Sequence, residues 1–177
     1  DSLKWRLAAL WVIIASATGV SIIGIDGAAG GGIAQGLNKT LRGLGVEKDI
    51  FFDTFVSGRV HSTIQYPNAL AAYLMAAYFV CLGLIIVYER LCPKVVSGAV
   101  CSVLFVTFLL TISRGAYLLF PVTAIIYLIL LPKGRRIRGV ASGLATITPP
   151  LVVFLRISSY IGKTEGYTEK IWLSILI

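Results

Sequence analysis

A chain of 177 residues that is 57% hydrophobic and only 14% charged, with a mean hydropathy of +0.88, lies outside the range of soluble domains. That composition excludes an ordinary soluble globule and predicts an all-α, polytopic integral membrane bundle. The net charge of +8 would suit nucleic acid in a soluble protein, but the basic residues cluster between apolar runs. They therefore fit membrane lipid headgroups and topology signals, and no nucleic-acid partner is expected.

In chain order, residues 1–6 are polar, with Lys4 and Arg6 flanking Trp5 in the manner of a membrane interface. Residues 7–25 carry no charge and are long enough to cross a hydrocarbon core of roughly 30 Å; Asp26 is read as ending this first span. The run is too long for a signal peptide and lacks a small-residue cleavage site. Residues 26–67 form an external loop that cannot span, since they include Lys39, Arg42, Glu47, Lys48, Asp49, Asp53 and Arg59. Within it, residues 33–44 predict a short amphipathic helix lying on the membrane, with Ile33, Leu37, Leu41 and Leu44 on one side. Gly31 and Gly36 have the spacing of a phosphate-binding glycine loop, but Leu37 and Asn38 stand where Lys and Ser/Thr are needed, so that reading is rejected.

Pro67 and Asn68 make a good helix start, and residues 68–88 are the second span. Residues 89–94 are read as a tight turn containing Arg90, Pro93 and Lys94. The third span, 95–112, is rich in the small residues that allow close helix packing. After Ser113-Arg114-Gly115 comes a short fourth span, 116–131, expected to kink at Pro121. Residues 132–138, PKGRRIR, are strongly basic, and the fifth span, 139–155, is interrupted at Pro149-Pro150. Residues 156–170 read as a polar loop, the start of a second external loop. Residues 173–177 open another apolar run, giving five to six spans in what looks like a fragment of a longer protein.

Cys81, Cys92 and Cys101 show no metal-ligand or disulfide spacing, and no metal site is expected. If each span crosses once, Lys4/Arg6, Arg90/Lys94 and the 133–138 cluster share one side, predicted to be cytoplasmic. The loop 26–67 and Arg114 then face outward.

Arg114 departs from the positive-inside bias because it lies in a hairpin of about three residues. Either it anchors at the interface by snorkelling, or its guanidinium is held at a helix junction to grip an anion such as a phosphate. Arg59 offers the same chemistry from the preceding loop, or is a solvated cation. His61, the single histidine, either shuttles a proton or is solvated. Tyr66 and Asn68 are supporting groups or merely an interface aromatic and a helix cap. Two arginines converging on one face beside a polar loop suit a pyrophosphate carried by a membrane lipid.

At these residues the chain resembles the O-antigen ligase/polymerase family of bacterial membrane glycosyltransferases. The resemblance rests on Gly58-Arg59-Val60-His61-Ser62-Thr63, on residues 66–74 (YPNALAAYL) and on Thr111-Ile112-Ser113-Arg114-Gly115-Ala116. The spelling RVHST–QYPNALAAYL is that of Gram-positive members, and the match covers about residues 59–131.

The resemblance implies a multi-pass protein of the bacterial cytoplasmic membrane, part of a larger GT-C-like fold, acting on the outer face. It implies transfer or polymerisation of a glycan from an undecaprenyl-pyrophosphate carrier to an acceptor glycan or glycolipid, with no cofactor, nucleotide sugar or metal. It carries pyrophosphate binding onto Arg59 and Arg114, with Ser113, Tyr66 and Asn68 in support. It also implies a histidine base in a later external loop beginning near Arg156, where no His follows; His61 is the one candidate catalytic group here. The competing expectations are a transporter or flippase-like protein for an anionic lipid or solute, and a scaffold subunit.

Overall fold

In a computed structural model of the chain, residues 2–161 are described, with side chains described over 4–156. The described residues are all-α apart from one small hairpin. They comprise α1 (Ser2–Ala28), α2 (Gly32–Gly43), β1 (Phe55–Val56), β2 (Arg59–Val60), a 3-10 turn (Ser62–Ile64) and α3 (Pro67–Val87). There follow α4 (Leu91–Leu110), α5 (Arg114–Leu130), a second 3-10 turn (Lys133–Arg135) and α6 (Arg136–Ile161). Among the described residues, four helices are long and apolar enough to cross a membrane: α1, α3, α4 and α6.

Helices stand at all five predicted spans, but the expected count of five to six membrane-crossing segments is corrected to four among the described residues. α5 has 17 residues, so it extends about 26 Å, short of a hydrocarbon core of about 30 Å. The sixth apolar run lies outside the described residues.

The α3–α4 pair forms the centre, with α1 packed on one flank and α6 on another. Its core is apolar and aromatic: Leu70, Leu74, Tyr78, Cys81, Cys101 and Leu104 are buried. Rings of Phe79, Phe105, Phe108 and Phe120 pack around Tyr78 and one another at centroid separations of 5.2–5.8 Å, the offset geometry that aromatic quadrupoles favour. Without water, polar groups inside must find partners in the protein. The Tyr78 hydroxyl lies 2.8 Å from that of Thr146 on α6, and the Cys81 thiol donates to the Ser97 carbonyl at 3.2 Å. Cys81 and Cys101 are thus small buried groups, while Cys92 is exposed. Leu118, Leu130 and Leu155, by contrast, are largely exposed, a surface suited to hydrocarbon.

Four boundaries differ from the sequence reading, each for a local reason. The turn read at 89–94 is only residues 88–90, because α4 starts at Leu91 and takes Pro93 into its first turn, where no N–H is missed. Pro149 and Pro150 do not interrupt α6, which runs on through Arg156 to Ile161, so the polar loop expected from 156 begins as helix. Pro121, where a kink is expected, lies inside α5. Asp26 does not end α1, and the loop read at 26–67 is largely built from α2, the hairpin and a 3-10 turn.

Asp26 is 2% exposed, and its two carboxylate oxygens accept from the N–H groups of Ile33 (3.0 Å) and Ala34 (2.9 Å), in the first turn of α2. It caps α2 in place of Gly31, which has no side chain and sits at φ 75°. An acid near the end of α1 opposes that helix dipole by about 0.3–1 kcal/mol. Two charge-assisted hydrogen bonds at about 1.5–3 kcal/mol each outweigh it. The glycine-rich segment therefore wraps an internal carboxylate rather than a phosphate. α2 buries Ala34 and Asn38, while Ile33, Leu37 and Leu44 of the predicted apolar side stay exposed. Asn38 holds the following chain by bonding Ile50 and Phe51 backbone groups at 2.8–3.1 Å.

Candidate anion site at the α3–α4–α5 junction

The chain returns from the external segment through a hairpin whose Ser57 (φ 52°) and Gly58 (φ 76°) both adopt positive φ, as a two-residue type I′ turn requires. Its register pairs Phe55 with Val60 and Val56 with Arg59. Val60 is fully buried against Gly24 of α1, where an added Cβ would sit 2.7 Å from the Val60 side chain. Glycine at 24 is therefore what lets the hairpin reach the helix backbone. Two residues on, the Ser62 hydroxyl donates to the Val20 carbonyl of α1 at 2.6 Å, and the Thr54 carbonyl accepts from the His61 and Ser62 N–H groups. These contacts fix the hairpin, and with it the direction of Arg59.

Arg59 Nε donates to the Thr111 carbonyl at 2.9 Å, and its Nη2 donates to Asn68 Oδ1 at 3.3 Å. Thr111 is the C-cap of α4, so the cation meets the negative end of that helix. The same Asn68 Oδ1 accepts from the Ser113 hydroxyl at 3.0 Å. Ser113 also caps α5, accepting from the Ala116 N–H at 3.4 Å. One amide oxygen at the start of α3 thus links the hairpin to the α4–α5 turn. Arg59, Asn68 and Ser113, separated by up to 54 positions between 59 and 113, are joined in one network.

Arg114 follows Ser113 directly at the first position of α5. It is exposed, and its guanidinium makes no hydrogen bond or ion pair among the described residues. One arginine is therefore committed to structure through two of its nitrogens, and the other keeps every donor available. Tyr66 gives α3 no side-chain cap, so the Asn68 and Ala69 N–H groups remain uncapped at the same junction. Two helix N-termini, a free guanidinium and part of a second one make a strongly anion-attracting place. No carboxylate bonds to either arginine among the described residues.

The other predicted residues are placed less tightly. Tyr66 is 61% exposed, and its hydroxyl makes no hydrogen bond among the described residues. His61 is half-buried, and among the described residues only its backbone is bonded: its N–H to Thr54 and its carbonyl to Gln65. Nothing orients its ring as a base toward a reacting group.

Sequence reasoning gave no role to the Thr111 carbonyl or to the backbone of Ile112. Ile112 sits at φ 48°, in the left-handed region that a β-branched residue avoids. The Arg59 and Asn68 hydrogen bonds on either side hold it there, and the turn aims Ser113 and Arg114. No sequence signal marks such a position, since Gly or Asn would have been expected there. The apolar cavity between α3, α5 and α6 is a separate feature, lined by residues such as Phe79, Phe120 and Leu144, with no charged group to hold a phosphate.

No family model, curated protein or solved structure matches this chain.

Proposed function

We infer that this junction holds the pyrophosphate of a lipid-linked glycan, and that the chain belongs to a membrane glycosyltransferase of the O-antigen ligase/polymerase type. The observation that carries the reading is the division of labour between the arginines. Arg59, tied to Thr111 and Asn68, sets the shape of the site, while Arg114 remains unpaired one residue from the same network. Family membership rests on the motif resemblance around Arg59, residues 66–74 and Arg114. Within that reading, the bundle is part of a larger multi-pass GT-C-like protein of the bacterial cytoplasmic membrane, with the junction facing outward.

The chemistry follows from the charge. The glycosidic carbon leaves the carrier pyrophosphate as the C–O bond breaks, and the bond to an acceptor hydroxyl forms. The acceptor loses a proton to a base, and both electrons of the broken bond go to the departing pyrophosphate. Guanidinium groups and helix N–H donors that strengthen their hold as this charge develops lower the barrier. Residues 59–131 supply no base with fixed geometry, in keeping with a base from another segment.

The test is glycan transfer by the intact protein carrying Arg114→Lys or Arg59→Lys. Lysine keeps the charge but loses the planar fork. Each is expected to reduce transfer by about 10²–10³-fold, the usual effect of losing one transition-state donor, while membrane insertion is unchanged. Full transfer by both variants would sink the site assignment. Transport of an anionic lipid without any new glycosidic bond would favour the transporter reading instead.

A further inference from the structure

At the opposite end of α5 lies a second feature with different chemistry. α5 and α6 each pack more on α3 than on one another, leaving a wedge between them. The wedge holds a cavity of about 150 Å³, walled by Phe79, Phe120, Ala124, Tyr127 and Gly143 and rimmed by Val140 and Leu144, which are 45% and 62% exposed. That volume matches a dry apolar cavity able to take a benzene-sized group, or several methylenes of a chain.

Gly143 leaves part of this wall open. A Cβ at Gly143 would meet no atom within 4 Å, so nothing in this chain requires glycine there. Yet glycine costs a helix about 1 kcal/mol relative to alanine. The Tyr127 hydroxyl is enclosed and has no hydrogen-bond partner among the described residues. That hydroxyl is packed toward Gly83 of α3, and it is the Tyr127 ring that lines the wall.

Charge supplies the rest. Tyr127 lies three residues before the end of α5, and Gly139 three residues after the start of α6, each about 4.5 Å along its helix. One turn beyond stands the basic segment. Arg136 is used internally, donating to the Ile129 and Leu131 carbonyls at 3.0 and 3.2 Å. The side chains of Lys133, Arg135 and Arg138 are exposed and make no hydrogen bond or ion pair among the described residues, and no acidic residue occurs in this segment.

We propose that the α5–α6 wedge and the Lys133–Arg138 cluster form a binding site for one anionic phospholipid. An acyl chain lies in the wedge, and the phosphate meets Lys133, Arg135 and Arg138. Basic clusters beside interhelical grooves are the sequence-readable form of such recognition. The site lies at the far end of α5 from Arg114 and does not depend on the glycosyltransferase reading.

The test uses the chain in nanodiscs or mild detergent, titrated with phosphatidylglycerol or with phosphatidylcholine of identical acyl chains, and read by native mass spectrometry and thermal shift. Phosphatidylglycerol is expected to bind at least about tenfold more tightly, with each of Lys133→Gln, Arg135→Gln and Arg138→Gln weakening it about fivefold. Gly143→Leu, which fills the wedge, is expected to weaken both lipids about tenfold. If that variant does not fold, Gly143→Ala fits the free space and gives a smaller loss, about threefold. Equal binding of the two lipids overturns the anionic assignment. Unchanged affinity in the Gly143 variants overturns the wedge as the chain's place.

Discussion

The two ends of α5 solve opposite problems. At the Arg114 end, four segments meet through side-chain and carbonyl hydrogen bonds, and even the unfavourable φ of Ile112 is held by bonded neighbours. Toward the Leu130 end, an apolar wedge separates α5 from α6, one hydroxyl is unpartnered, and Gly143 faces free space. The first end is built to fix a charge in position. The second leaves room. Between apolar helices of membrane-crossing length, where hydrophobic burial does little to drive helix against helix in lipid, polar bonds specify geometry.

Mutations that exchange the character of these regions sharpen the contrast. The largest stability effect is expected from Asp26→Ala, which leaves two enclosed N–H groups of α2 without acceptors. A loss of about 2–4 kcal/mol, measured by denaturant or thermal unfolding in detergent, should be accompanied by faster hydrogen exchange at Ile33 and Ala34. Gly24→Ala comes next: its Cβ would press on Val60, costing about 1–3 kcal/mol and loosening the hairpin that carries Arg59. Ile112→Gly should act in the other direction, raising stability by about 1 kcal/mol by removing side-chain strain in the left-handed region. If Ile112→Gly instead destabilises, the turn is held by its exposed side chain rather than by the bonds around it. Gly143→Ala in lipid-free detergent is the smallest, a gain of about 0.5–1 kcal/mol.

The helices were legible because long uncharged runs leave few alternatives, and Pro67 marked the start of α3 in its own first turn. The same rule applied to Pro93 would have placed the start of α4 correctly; reading Pro93 and Lys94 as turn residues lost a turn of helix. Arg59, Asn68, Ser113 and Arg114 could be singled out as polar residues beside apolar runs. The joining of Arg59 and Ser113 through one Asn68 oxygen depends on helix ends meeting in space, and periodicity does not reveal that. Asp26 was taken for a terminator because charge normally ends a span. Its burial depends on backbone donors seven and eight residues away. The hairpin escaped notice because its strands have two residues each, too short for an alternation to register.

The central claim, that a free Arg114 and a structurally tethered Arg59 hold a lipid pyrophosphate, is tested most directly by equilibrium binding of a polyprenyl pyrophosphate to the chain in nanodiscs. Wild type should bind the pyrophosphate more tightly than the corresponding monophosphate. Arg114→Gln should weaken binding about tenfold or more without changing thermal stability, and Arg59→Gln should reduce both. Equal affinity for pyrophosphate in wild type and Arg114→Gln would contradict the account.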